Sequence, residues 1–185
     1  VYNENYPMPP KPEGSDEGIL KGLYRLRPAP KGDGPLVRLI GSGPIMLQVL
    51  DAVEKLEALG VRSEIWSATS YGELRRDGME ASRWNRLNPG QEMKTSWVET
   101  QLSDGDSPII AVSDNMAAVP EMIREWIHAP YTVLGTDGFG RSDTRTALRR
   151  FFEIDGESVA LAALSSLVRA GTMEASVYDL SLIHI

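Results

Sequence analysis

Residues 131–152, YTVLGTDGFGRSDTRTALRRFF, end an apolar run in a loop of glycines and polar side chains. Asp137, Arg141, Ser142 and Asp143 stand there among Gly135, Gly138 and Gly140. A helical pattern follows. Loops at the C-terminal ends of parallel strands are where α/β folds hold ligands, so TDGFGRSD fits either an active site or a structured turn. Arg141, Arg145 and Arg149 are spaced by four, with Arg150 adjacent. On a helix starting near residue 143 they share a face. Such a stripe suits an anion or an acidic partner. A solvated face balanced by the chain's excess carboxylates is the favoured reading, because charge on amphipathic helices usually faces water.

Two glycine motifs resemble phosphate chemistry and fall short of it. GSGPIM, residues 41–46, lies between a strand and a helix, where a pyrophosphate cradle belongs. The place of the third glycine holds Met46, and Pro44 lacks an N–H donor, so a structural turn is the better reading. Gly32-Asp33-Gly34 could open a magnesium–diphosphate motif, in which a carboxylate and amide oxygens hold the ion. No asparagine follows until Asn85, so it reads as a turn. His128 precedes Pro130 at a helix end, a place that suits a C-terminal cap better than catalysis.

The elements that position these residues alternate. Residues 19–27, 36–41, 61–69, 108–114 and 131–136 read as strands. Pro44 suits the start of a helix that carries Ile45, Val49, Val53 and Leu56 and stops at Gly60. Residues 72–87 read as one or two helices, broken near Gly78, and SWVETQL reads as a short one. Pro120 opens a helix with Met122, Ile123, Trp126 and Ile127 on one face, closed by Pro130. Asp143 or Ser142 caps TRTALRRFF, and Asp155 caps ESVALAALSSLVRA, which ends at Gly171. The pattern predicts an α/β fold: three layers around a mostly parallel twisted sheet of about five strands. The first strand reaches the second through a loop too short for a crossover, so it is expected at an edge, antiparallel.

Composition narrows the function. The 185 residues suffice for one domain. A net charge of −7 argues against nucleic acid, which needs a basic footprint. Without cysteine the chain has no thiolate nucleophile or disulfide, and imidazole comes only from His128 and His184. No apolar stretch is long enough to span a membrane, and no secretory signal stands out. Proline-rich residues 7–15 predict an extended arm over 1–18, ahead of a domain over 19–179. Residues 180–185, LSLIHI, do not fit what precedes them and match the translated end of a transposon-based sequencing adapter; a genuine apolar tail is the alternative.

NENYPMP (3–9), VRSEIWSATSYGELRRDGMEASRWNRLNP (61–89) and VLGTDGFGRSDTRTALRRFFEID (133–155) closely resemble the bacterial homodimeric pyruvate dehydrogenase decarboxylating component, at the C-terminal domain of the transketolase-like superfamily. The likeness covers residues 1–178, with Asn88 standing where that family more often has histidine. It implies a parent that uses thiamine diphosphate and magnesium to decarboxylate pyruvate and passes the acetyl unit to lipoamide. It implies a cytoplasmic homodimer whose partner is a lipoyl-bearing acyltransferase, with no membrane and no nucleic acid. The diphosphate cradle, the activating glutamate and the proton-handling histidines lie before this segment in that family. No residue here is therefore assigned a catalytic, cofactor-binding or metal-binding role, and the chain alone is expected to be inactive and to bind no cofactor. Asp137, Gly138, Phe139, Gly140, Arg141 and Ser142 are assigned to a structural or interface loop. There Phe139 is buried against another surface, and Asp137 and Arg141 fix the backbone by a pair or by hydrogen bonds. The alternative function is a protein-interaction domain that docks the acyltransferase core. A free nucleotide-binding module would need the phosphate loop that GSGPIM fails to give.

Overall fold

The computed structural model describes residues 6–182. In chain order the elements are α1 (Asp16–Lys21), β1 (Leu23–Arg27), β2 (Leu36–Gly41), α2 (Met46–Ala58), β3 (Arg62–Ala68), α3 (Tyr71–Leu87), α4 (Trp97–Leu102), β4 (Ile109–Val112), α5 (Ala118–Glu121), β5 (Tyr131–Leu134), α6 (Arg145–Phe151), α7 (Gly156–Arg169) and α8 (Ala175–Leu182). The five strands form one sheet in the order β1-β3-β2-β4-β5. β2 is parallel to both β3 and β4, and β4 is parallel to β5. β1 closes one edge antiparallel to β3. The α/β class and the strand count are those the alternation predicts, and the antiparallel edge is the one the short first loop predicts.

Both faces of the sheet are covered. Val37, Leu39, Ile110 and Val112 pack against α2 and α7. Ile40, Trp66, Ile109 and Ala111 pack with residues of α3, α4 and the 118–126 segment. The runs LVRLIG and IIAV are apolar almost throughout because these strands are buried on both sides. Arg38 is the exception. It is 2% exposed, and its Nη1 donates to Leu102 O at 2.7 Å while Nη2 donates to Asp104 O. Glu64 Oε2 lies 3.6 Å from its Nε.

Four local expectations are corrected. Residues 16–21 are helical, so the first strand begins at Leu23 and not at Ile19, and the expected end of the arm falls inside α1. α3 runs unbroken through Gly78. Gly78 is a packing residue: a Cβ there would lie 2.7 Å from Trp126 Cε3 and closer still to Cδ2 and Cε2. The helix expected from Pro120 to Pro130 is two short pieces, α5 and a 3-10 turn over Arg124–Trp126. Arg124 Nη1 donates to Tyr131 O at 3.0 Å and draws that segment back to the start of β5. Thr144, not Asp143 or Ser142, caps α6, its hydroxyl accepting the Ala147 N–H at 3.3 Å; the Asp143 carboxylate accepts the Thr144 N–H instead. At the C-terminus α8 continues into the stretch set apart as a tail, whose last residues, His184 among them, lie outside the described residues.

Trp126 is 5% exposed and its Nε1 donates to Ser82 Oγ at 3.0 Å, so it fastens the 3-10 turn to α3. Trp126→Ala is expected to destabilise by about 3–5 kcal/mol, the range for a large aromatic removed from a packed interior. Gly78→Ala sets two effects against each other. Helix propensity favours alanine by about 1 kcal/mol. Overpacking against the indole costs about 1–3 kcal/mol and should prevail. Denaturant melts of both single variants and the double variant decide it: with Trp126→Ala already present, Gly78→Ala should turn neutral or stabilising. A Gly78→Ala chain more stable than the parent would show that the indole yields.

Candidate functional site

The C-terminal edge of the parallel strands gathers the loops singled out in the sequence. The chain leaves β2 to one side and β4 lies on the other, so the strand order reverses between them, the place where such sheets hold ligands. Here that crevice is narrow. Ser42 Oγ lies 3.5 Å from Ser113 Oγ, and Ser113 Oγ accepts the Asn115 N–H at 3.0 Å. Gly43–Ile45 form a 3-10 turn with Pro44 in its first positions, and the Met46 N–H is taken by the carbonyls of Gly43 and Pro44. Gly41 is needed for space, since a Cβ would press on Met46 and Val49. The segment is a strand-to-helix turn in which Pro44 has no N–H and the Met46 N–H is already engaged.

Gly32-Asp33-Gly34 is likewise a packed turn. Arg62 Nε donates to Gly34 O at 2.7 Å, and a Cβ on Gly34 would collide with the Gly60 carbonyl. His128 lies 3.6 Å from Glu99 Oε1, with its side chain 72% exposed. Asn88 is the C-cap of α3: its N–H and its Nδ2 both donate to Trp84 O, at 3.0 and 2.9 Å. An amide does this without any proton transfer. Burial raises the phenols of Tyr71 and Tyr131 well above their usual range, so both stay protonated, and Tyr131 Oη donates to Pro120 O at 2.9 Å. Among the described residues no cluster of three or more His, Asp or Glu side chains is placed to hold a metal, and no helix is long and apolar enough to cross a membrane.

The loop after β5 is tied down on one side and open on the other. Thr136 donates its N–H to Asn115 O at 2.9 Å and its hydroxyl to Asp114 O at 3.0 Å. Asp137 Oδ1 accepts the Ala117 N–H at 3.0 Å. Gly135 permits this approach, because a Cβ would lie 2.7 Å from Ala117 Cα. Asp137 thus fixes the loop through the neighbouring turn, not through Arg141. The Arg141 guanidinium lies 3.9 Å from the centre of the Phe151 ring. Gly138 has φ +93°, a conformation that favours glycine. Phe139 is 97% exposed, so the surface expected to bury it is not supplied by the described residues. Gly140 is open, and Ser142 lines a shallow hollow beside Phe151.

Two clefts went unread in the sequence, because their walls come from segments far apart in the chain. The first, about 340 Å³, lies beside this loop. Arg141, Arg145 and Arg149 line it with Thr136, Asp114 and Tyr6, over an apolar floor of Leu148, Phe152 and Ile154. The arginine spacing carried a signal for it; Tyr6 and Asp114 gave none. The second, about 510 Å³, sets Tyr24, Trp66 and Trp97 beside Glu13, Glu17 and Asp104. The chain's own cations already cover two of these rings, Lys21 at 4.4 Å over Trp97 and Arg25 at 5.9 Å over Trp66.

Comparison with known proteins gives this geometry a lineage. The chain is 48% identical over 179 residues to the pyruvate dehydrogenase E1 component of Pseudomonas aeruginosa, a match that takes in 96% of this chain and 20% of that protein. The E1 components of Mycolicibacterium smegmatis and Escherichia coli K12 are 45% and 43% identical over the same length, covering 19% and 20% of theirs. The chain therefore spans about a fifth of the curated relatives it matches. Among solved structures, a transketolase from Pichia stipitis in complex with sedoheptulose 7-phosphate superposes with a TM-score of 0.57 at 21% identity, over 89% of this chain and 21% of the other. A transketolase from Leishmania mexicana gives 0.54 at 22% identity, over 83% and 19%. Those structural likenesses bear on the fold alone. Residues 22–155 match the family described as the transketolase-like TK C-terminal domain, and the chain belongs to that family.

Proposed function

We propose that this chain is the C-terminal domain of a thiamine-diphosphate-dependent pyruvate dehydrogenase component, cytoplasmic and homodimeric. In that reading the whole protein decarboxylates pyruvate with magnesium as the cofactor's metal and passes the acetyl unit to the lipoyl group of an acyltransferase. The observation that carries it is sequence identity of 42–48% to proteins named pyruvate dehydrogenase E1 component, over nearly the full length of this chain. The domain's own contribution is assembly, and the catalytic centre lies elsewhere in the protein. Three features favour that division. In the turn after β2, Pro44 has no N–H and the Met46 N–H is bonded within the turn, which disfavours a diphosphate cradle. Gly32-Asp33-Gly34 is packed against Gly60 and Arg62. Phe139 stands almost fully in solvent between two glycines, on a loop whose other side is anchored. Phenylalanine is most often buried, and we read this exposed one as part of a contact with the rest of the protein.

The residues present do not fit thiamine diphosphate, and no chemical step is assigned to them. Isothermal titration of the 185-residue chain with thiamine diphosphate and magnesium is expected to give no saturable micromolar binding. Saturable binding would place a cofactor site in this domain and overturn the division.

In the full-length parent, Phe139→Ala is expected to remove apolar surface from a domain or subunit contact. Gly138→Val is expected to force a side chain into a positive-φ conformation that costs about 1–2 kcal/mol even in open space. Both should weaken dimer association, with pyruvate turnover lost in step with dimer. Sedimentation velocity beside turnover decides it. A fully dimeric, well-folded Phe139→Ala enzyme that turns over a hundredfold more slowly would put the loop in the active site. A dimeric, active enzyme that no longer captures the acyltransferase would make the loop a docking surface for that partner.

A further inference from the structure

An aspartate followed by glycine can react with its own backbone. The glycine nitrogen attacks the aspartate side-chain carbon, and no Cβ on the glycine hinders the approach. The chain contains five such steps, beginning at Asp33, Asp77, Asp104, Asp137 and Asp155. The fold treats them differently. In four of them the carboxylate is committed. Asp77 Oδ2 accepts the Trp97 N–H at 2.6 Å, and that step lies inside α3. Asp104 Oδ1 lies 3.3 Å from Arg38 Nη2, and the Gly105 N–H donates to Ser103 O at 3.0 Å. Asp137 Oδ1 accepts the Ala117 N–H at 3.0 Å. Asp155 Oδ1 accepts the Ser158 N–H at 2.9 Å, and the Gly156 N–H donates to Gln48 Oε1 at 3.2 Å.

Asp33 is the exception. It is exposed, in the bend over residues 31–34 that leads into β2. Among the described residues neither its carboxylate nor the Gly34 N–H has a hydrogen-bond or ion-pair partner. Gly34 is held from the other side. Arg62 Nε donates to its carbonyl at 2.7 Å, and a Cβ there would collide with the Gly60 carbonyl. Packing therefore requires glycine at 34, and the reactive pair is built into the turn. An exposed bend this loosely tied samples new backbone angles without unfolding the domain. From these features we propose that Asp33 is a site of spontaneous modification, where Asp33-Gly34 closes to a succinimide and reopens to isoaspartate. The Gly34 nitrogen bonds to Cγ of Asp33, and the carboxyl hydroxyl and the amide proton leave together as one water. Water then opens the ring. Addition at Cγ restores aspartate. Addition at the backbone carbonyl carbon gives isoaspartate, whose main chain runs through the side-chain methylene. One water is lost and one regained, so mass and charge are unchanged and no oxidant takes part. The extra backbone carbon falls in the exposed part of the bend, ahead of the Gly34 anchor. The reaction needs no partner and no cofactor, so it stands apart from assembly and from pyruvate turnover.

The test incubates the full-length protein for several weeks at neutral pH and physiological temperature, beside a sample kept unfolded in urea. After digestion, electron-transfer fragmentation sorts the peptides of the five steps into aspartate and isoaspartate. In the folded protein isoaspartate should build up at Asp33 at least about fivefold faster than at Asp77, Asp104, Asp137 or Asp155, because only there are both reacting groups free. In urea the five rates should agree within about threefold, because the fold no longer separates them. No isoaspartate at Asp33 in the folded protein, or faster formation at any of the other four, overturns the proposal. The same spread of rates in urea as in the folded protein also overturns it, because the preference for Asp33 would then owe nothing to the structure.

Discussion

Everything in this domain depends on β2 and β4 being covered on both faces. A parallel sheet cannot leave its central strands to water, so two helical layers are obligatory and each must bring its own apolar stripe. α2 and α7 supply one layer, and Val49, Val53, Leu56, Val159, Ala163 and Leu167 are its buried contacts. α3, α4 and the 118–126 segment supply the other through Leu74, Val98, Ile123 and Trp126. Between the layers the connections have little freedom. They must leave one end of the sheet and return to the other, and the loops at the C-terminal end are what remains for contact and ligand. Arg38 shows how strict the rule is. A guanidinium enters the covered region only with its Nη atoms on the carbonyls of Leu102 and Asp104 and with Glu64 facing Nε. Removing one partner of such a buried pair costs about 3–5 kcal/mol. The 102–104 turn is thereby pinned to the centre of the sheet.

The strands were legible because that same constraint writes itself into short, nearly unbroken apolar runs. The antiparallel edge was legible from loop length. What the pattern could not carry was the shape of the segment between β4 and β5. Met122, Ile123, Trp126 and Ile127 do fall at helical spacing, and Ile123 and Trp126 are in fact buried. The long helix nonetheless gives way to α5 and a 3-10 turn, because Arg124 is drawn to the Tyr131 carbonyl and Ile127 must already be extended. Spacing fixed the buried face and left the backbone undetermined. The cap of α6 was misplaced for a related reason. Ser142, Asp143 and Thr144 are all competent caps, and only the backbone geometry of Thr144 selects among them.

The candidate site was half legible. The polar loop was found from its residue types, and its anchoring by Asp137 was expected in kind, though the partner proved to be the Ala117 amide on the next turn. The cleft itself was not. Its arginines stood out as a stripe, and a solvated face was the favoured reading because a single helix offers no wall opposite. Tyr6 from the N-terminal segment and Asp114 from the loop after β4 supply that wall. Neither carries any sequence signal of such a role, since their relation to the arginines exists only once the strands are ordered.

Glycine shows why residue type alone cannot separate structure from function here. Gly78 looks in the sequence like a helix breaker, and Gly156 opens α7 in the structure. Each is a place where another side chain, the Trp126 ring or the Asp51 carboxylate, occupies the space a Cβ would need. Gly138 and Gly140 stand in open space, where a Cβ would meet nothing within 4 Å. A glycine of the first kind is explained entirely within the chain. At Gly138 the chain explains the conformation, by its φ of +93°, but gives no reason for needing it. That turn aims Phe139 outward and leaves Arg141 against Phe151 at the mouth of the cleft. Both results face away from the core. A backbone conformation that costs an ordinary residue about 1–2 kcal/mol is thus held here at a position where a Cβ would touch none of the described residues.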